Sequence, residues 1–128
     1  MFGFKKKEKK PLLIKTKDIF QIIKSDYDDD SAFTLIEFIC DNQHYLMGSC
    51  VHPPEAEERK ENIIFIFQDN VYRTFEEFEK MSYIGFTKVS ELEQPVEIVR
   101  AGIVGNDTLL KTPWGDKRLA DRAVNKDS

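Results

Sequence analysis

Apolar residues fall in a few short stretches along this chain, and their spacing predicts its elements. Phe33 to Cys40 reads FTLIEFIC and His44 to Val51 reads HYLMGSCV. Both are rich in β-branched and aromatic residues, and Asp41-Asn42-Gln43 between them has turn chemistry, so they form a first β-hairpin. His52-Pro53-Pro54 stops it, because proline cannot continue a ladder. A charged connection over 55–61 then leads to Asn62 to Gln68, NIIFIFQ, the most strand-like stretch. It lacks polar alternation, which predicts a strand covered on both faces. Asp69-Asn70 reads as a two-residue turn, since both residues tolerate positive φ, and Val71 to Thr74 returns as a fourth strand.

The helical signals are shorter. Asp18 to Lys24 (DIFQIIK) carries apolar residues at 19, 20, 22 and 23, which fits a helix capped by Thr16 or Asp18. Its β-branched content also suits a strand, and the helix is preferred. The acidic run Asp26-Tyr27-Asp28-Asp29-Asp30-Ser31 reads as a turn. Thr74-Phe75-Glu76-Glu77 fits a capping box, with a helix from Phe75 to about Met81 that turns Phe75 and Phe78 to one face. Gly85 ends that region, and Val89 to Leu92 is one further helical turn. Val96 to Val104 follows Pro95 as a late strand. Pro113-Trp114-Gly115 is a turn, after which Asp116 caps a last helix with Leu119, Ala120 and Ala123 inward. The fold class is α+β. A mainly antiparallel sheet from two consecutive hairpins and a late strand is joined by two or three short helices. Residues 1–10 read as a disordered basic arm, and 11–128 as one domain without repeats or linkers.

Composition narrows the functional classes. With 41% hydrophobic and 12% aromatic residues among 128, the chain buries an ordinary core despite 33% charge. No apolar run reaches the roughly 20 residues that span a bilayer, and MFGFKKKEKK lacks the apolar core of a secretory signal. Two cysteines, Cys40 and Cys50, predict a reducing, cytoplasmic setting. There the sequon-like Asn106-Asp107-Thr108 has no meaning. The net charge of −4 is uneven: residues 1–17 carry +6, which leaves −10 for the rest. An acidic body argues against nucleic acid and in favour of a protein partner with a basic surface. Inhibitors and immunity proteins mask partners in this way.

The candidate chemistry is sparse. Asp26, Asp28 and Asp30 occupy positions 1, 3 and 5 of the calcium-loop pattern D-x-D-x-D-G-x5-E, with Glu37 at position 12. Over these twelve residues the chain resembles an EF-hand loop, which implies Ca2+ as ligand. Ser31 replaces the glycine at position 6, and the residues around Glu37 favour a strand over the outgoing helix. Cys40, His44, Cys50 and His52 lie close in sequence, yet a hairpin holds the two cysteines roughly 15 to 20 Å apart, too far for zinc or a disulfide. Cys50 and His52 share a strand face but lack an orienting third group. Gly102-Ile103-Val104-Gly105 lacks the context of a phosphate cradle. Trp114, the only tryptophan, is either a partner anchor or a pin for a terminal segment. No catalytic set emerges. The expectation is a non-enzymatic protein-binding domain, with a calcium-binding regulatory module on residues 26–37 as the alternative.

Overall fold

The computed structural model describes residues 10–29, 34–51, 62–103 and 113–126. Strand β1 (Leu12–Ile14) leads into helix α1 (Thr16–Asp29). Strands β2 (Thr34–Cys40) and β3 (Gln43–Val51) make the first hairpin, and β4 (Ile63–Phe67) and β5 (Asn70–Tyr72) the second. Helix α2 (Phe75–Met81), a small hairpin of β6 (Tyr83–Ile84) and β7 (Thr87–Lys88), and a 3-10 turn at Val89–Glu91 precede β8 (Val96–Ile103). A 3-10 turn at Pro113–Gly115 and helix α3 (Lys117–Arg122) complete the described chain. The fold is α+β: one antiparallel six-stranded sheet ordered β1-β8-β2-β3-β4-β5, with the two-stranded β6-β7 sheet beside it.

The two hairpins stand where the sequence pattern puts them, with one shift of register. Asp41 and Asn42 both take positive φ (52° and 66°) and close β2 onto β3 as a two-residue turn of the I′ kind. The second turn falls on Gln68-Asp69 instead of Asp69-Asn70. The reason is the Gln68 side chain, which continues the ladder as a peptide unit would. Its Oε1 accepts from Leu46 N at 2.7 Å and its Nε2 donates to His44 O at 3.3 Å, while its own amide donates to Leu46 O at 2.8 Å. Three contacts to β3 hold Gln68 at a φ of 57°, where a glutamine is seldom found.

Helix α1 is longer than the expected 18–24, and the acidic run is not a turn over its first four residues. Asp26 to Asp29 complete the helix. Thr16, Ile19, Phe20, Ile23 and Asp26 are buried and Tyr27 packs against the core, a 3.6-residue rhythm that continues through a carboxylate. The Asp26 carboxylate accepts from Thr34 Oγ1 and from Arg118 Nη1, and Arg118 also spans Asp116 through Nε (3.1 Å) and Nη2 (2.9 Å). This ion cluster ties α1, β2 and α3 together on the inner side of the sheet. Burial alone would raise the Asp116 carboxyl, but hydrogen bonds from the Arg118 side chain and its charge, with the Arg118 and Leu119 amides, hold it below the usual carboxylate range.

All three helices cover the same face. Phe65 on β4 stacks on Phe78 of α2 (centroids 5.4 Å), and Phe20 of α1 meets Phe78 at 5.0 Å. Tyr27 closes edge-on against Phe65 at 5.3 Å. Thr74 caps α2 by accepting from Glu77 N at 3.1 Å, and Phe75 and Phe78 both point inward, as the capping pattern predicts. In α3, Asp116 caps and Leu119 and Ala123 are buried. Leu12 and Ile14 on β1 also belong to this core, which the sequence pattern did not assign to a strand.

Candidate functional site: the open face of the sheet

Side chains alternate across a strand, so the residues between the core positions face the other way. On β2 the inner residues are Thr34, Ile36 and Phe38, and the outer ones are Leu35, Glu37 and Ile39. Register carries this outward row across the sheet: Leu13 and Ile39 flank Glu97, Glu37 lies between Arg100 and Leu46, and Ile66 pairs with Gly48. No described helix packs on this side.

A β-bulge gives the face its centre. Glu37 pairs with Arg100 but Phe38 pairs with Ile98, so Val99 is an extra residue on β8. Without it, Ile98 inward would force Arg100 inward as well. With it, Ile98 and Ala101 both enter the core and Arg100 swings out beside Glu37. Arg100 Nε donates to Glu37 Oε1 at 2.7 Å, and His44 Nδ1 lies 2.7 Å from Glu37 Oε2. The His44 hydrogen bond is the largest influence on Glu37. With the Arg100 hydrogen bond and charge it outweighs burial and holds the carboxyl below its ordinary value. Around this trio lies a shallow depression of about 230 Å³, lined also by Tyr45, Leu46 and Gln68. Glu37, engaged at both oxygens, thus fixes Arg100 and His44 in place on the open face.

A larger groove of about 660 Å³ opens at the end of the sheet where the first hairpin turns. Leu13, Ile39, Leu92 and Pro95 supply apolar lining, and Asp41, Glu93 and Glu97 bring three carboxylates. No lysine or arginine lines it, and none of the three carboxylates has an ion-pair partner among the described residues. The I′ turn sets Asp41 at one wall, residues 92–95 form the opposite wall as they enter β8, and Glu97 stands between Leu13 and Ile39. Cys40 also borders the groove. Burial, and then the charge of Asp41, push its thiol up, which makes it a poor nucleophile near neutral pH. A concave site with apolar lining and unpaired carboxylates suits a ligand that is apolar in the middle and cationic at its margins.

The sheet edges are less available. The outer edge of β1 is occupied by the C-terminal residues: Val124 N donates to Leu13 O at 2.8 Å and Leu13 N to Asn125 Oδ1 at 3.2 Å. The opposite edge, β5, has only 3 residues.

The residues singled out from the sequence lie elsewhere. Asp26 faces the helices and Glu37 the open side, so the sheet itself separates them. Asp28 is exposed on α1 and pairs with Lys24 at 3.1 Å, and Asp30 is outside the described residues. Trp114 is engaged internally: Nε1 donates to Lys10 O at 2.7 Å and the Lys10 ammonium sits 5.3 Å from its ring. It pins the start of β1. Cys40 pairs with Gln43 beside the turn, while Cys50 pairs with Ile64 on the next strand. Both thiols are free, and no described group of three or more His, Cys, Asp or Glu is placed to hold a metal. His52, the sequon at 106–108, and Val104 and Gly105 of the glycine pair lie outside the described residues. Asp41, Glu93 and Glu97 were not singled out from the sequence. The density of acids in E-L-E-Q-P just before a strand was the available signal.

No protein-family model, no curated protein and no solved structure matches this chain.

Proposed function

We propose that this protein is a non-enzymatic binding domain whose acidic groove docks a basic, partly apolar segment of a protein partner. The observation that carries this reading is the groove itself: three carboxylates without an ion-pair partner among the described residues, beside apolar lining, on a body that carries −10 beyond residue 17. Its field favours a cationic partner and speeds encounter. What supports binding over catalysis is the Cys40 thiol, which burial and the charge of Asp41 keep from being an activated nucleophile. No described helix is long and apolar enough to cross a membrane. Function is proposed in a cytoplasmic setting, where Cys40 and Cys50 stay as free thiols.

A synthetic peptide of alternating lysine and phenylalanine provides the test. Calorimetric titration at low salt should give binding that weakens at least tenfold in the combined variant Asp41→Asn, Glu93→Gln, Glu97→Gln. Equal affinity for the two proteins would overturn the reading.

A further inference from the structure

The β6–β7 hairpin and the helix end before it hold most of the exposed large hydrophobic side chains among the described residues. Gly85 takes a φ of 64° at the first turn position and Phe86 follows with negative φ, the sign pattern of a two-residue II′ turn. This turn throws the Phe86 ring fully into solvent, where it is the most exposed large hydrophobic residue described. Met81 at 55% and Tyr83 at 48% stand close behind it in the chain. Of the exposed large hydrophobics, the other two, Val71 and Val124, lie outside this segment, so the exposure is concentrated here. Lys80 and Lys88 flank the knuckle, and Lys88 makes only a loose 3.6 Å pair with Glu91.

The knuckle is apolar at the tip and carries Lys80 and Lys88 at its base. The groove combines apolar lining with three carboxylates, Glu97 standing between Leu13 and Ile39. We infer that the groove is filled by the β6–β7 knuckle of a second copy, so that the protein self-associates by placing Phe86 between Leu13, Ile39, Leu92 and Pro95 with Lys80 and Lys88 against Asp41, Glu93 and Glu97. This rests on the reading of the groove as a binding site for basic, apolar segments and names the occupant. Lys88 and Glu93 are five residues apart, so knuckle and groove lie within about 18 Å of each other. That closeness lets one twofold axis exchange both contacts at once and close a dimer, instead of propagating a chain. An anionic lipid surface is disfavoured as the occupant because it would leave the three groove carboxylates without a cationic partner, which a second copy supplies.

Sedimentation equilibrium of the full chain at low salt tests this. The wild type should show a monomer–dimer equilibrium that Phe86→Ser weakens at least tenfold. At dilutions where both proteins are monomeric its thermal unfolding should stay unchanged, since the fully exposed ring supports nothing within the monomer. Lys80→Glu with Lys88→Glu in one protein, and Glu93→Lys with Glu97→Lys in another, should each be monomeric. An equimolar mixture should recover dimers, because both exchanged contacts are then matched. A wild type that stays monomeric at millimolar concentration overturns the proposal, as does a dimer indifferent to Phe86→Ser or a mixture that fails to recover. The lysine–phenylalanine peptide separates the two levels. A monomer that still binds it through Asp41, Glu93 and Glu97 overturns self-association alone. A protein that does neither overturns the groove reading too. Vesicles of anionic lipid serve as the competing arm, and co-sedimentation with them that is lost in Phe86→Ser would also overturn the dimer.

Discussion

Arg118 gives the sharpest test of how the fold is held. Its guanidinium is the cation between Asp26 and Asp116, which are 8% and 9% exposed. Arg118→Met keeps much of the side-chain length and leaves two buried carboxylates without it. Removing one partner of a buried pair costs about 3 to 5 kcal/mol, and the partial exposure of Arg118 places this case at the lower end, about 3 kcal/mol. For a domain of this size that lowers the melting temperature by about 10 °C. The pH dependence carries the mechanism. Burial opposes ionisation of Asp116 but Arg118 overcomes it, so its carboxyl titrates below the usual range. Such a group adds stability above its unfolded value, near pH 4, and that stability is lost as pH falls through the lower folded value. In the variant, burial is opposed only by the backbone amides of residues 118 and 119, the carboxyl moves up, and acidification relieves the penalty. Urea unfolding from pH 7 to pH 3 should therefore show the wild type losing stability while the difference between the two proteins shrinks below about 1 kcal/mol. A difference that is the same at both ends of the range, or under about 1 kcal/mol at pH 7, would refute the reasoning.

Three further predictions follow from the same geometry. Gly48→Ala should cost at least about 3 kcal/mol in urea unfolding or prevent folding, because a Cβ there would meet the Thr34 carbonyl oxygen at 2.0 Å and Leu35 Cα at 2.9 Å; a loss under 1 kcal/mol would contradict this. Thr74→Ala removes the cap on Glu77 N and should cost about 1 kcal/mol, with Thr74→Ser close to wild type by thermal melting. Cys40 and Cys50 both have their thiols pushed up, first by burial, so alkylation by iodoacetamide at pH 7 should be several-fold slower than for a free thiol peptide and recover as pH rises; fast labelling at pH 7 would contradict it.

Much of the fold was legible because local chemistry and global packing agree. The Asp41-Asn42 turn, the all-apolar run before Gln68 and the Thr74 cap each specify their element within a few residues. The misreadings arise where a distant partner decides. Asp26 occupies an inward helical position that no local rule gives to a carboxylate, and only Arg118, 92 residues away, makes it tenable. Gln68 enters a left-handed turn because a neighbouring strand offers three backbone groups. The open face depends on the extra residue Val99, which sets the direction of Arg100 and is visible only in the register with β2. Asp41 comes from the first hairpin turn and Glu93 and Glu97 from a stretch more than 50 residues later, so their convergence in one groove was invisible to a pass along the chain.

Amide-resolved NMR titration of the full chain with the lysine–phenylalanine peptide tests the groove as the binding surface most directly. The account predicts shifts concentrated at Leu13, Ile39, Asp41, Glu93 and Glu97, fading as salt is raised. Shifts confined to the helical side, around Glu76 or Asp121, or none at millimolar peptide, would contradict it.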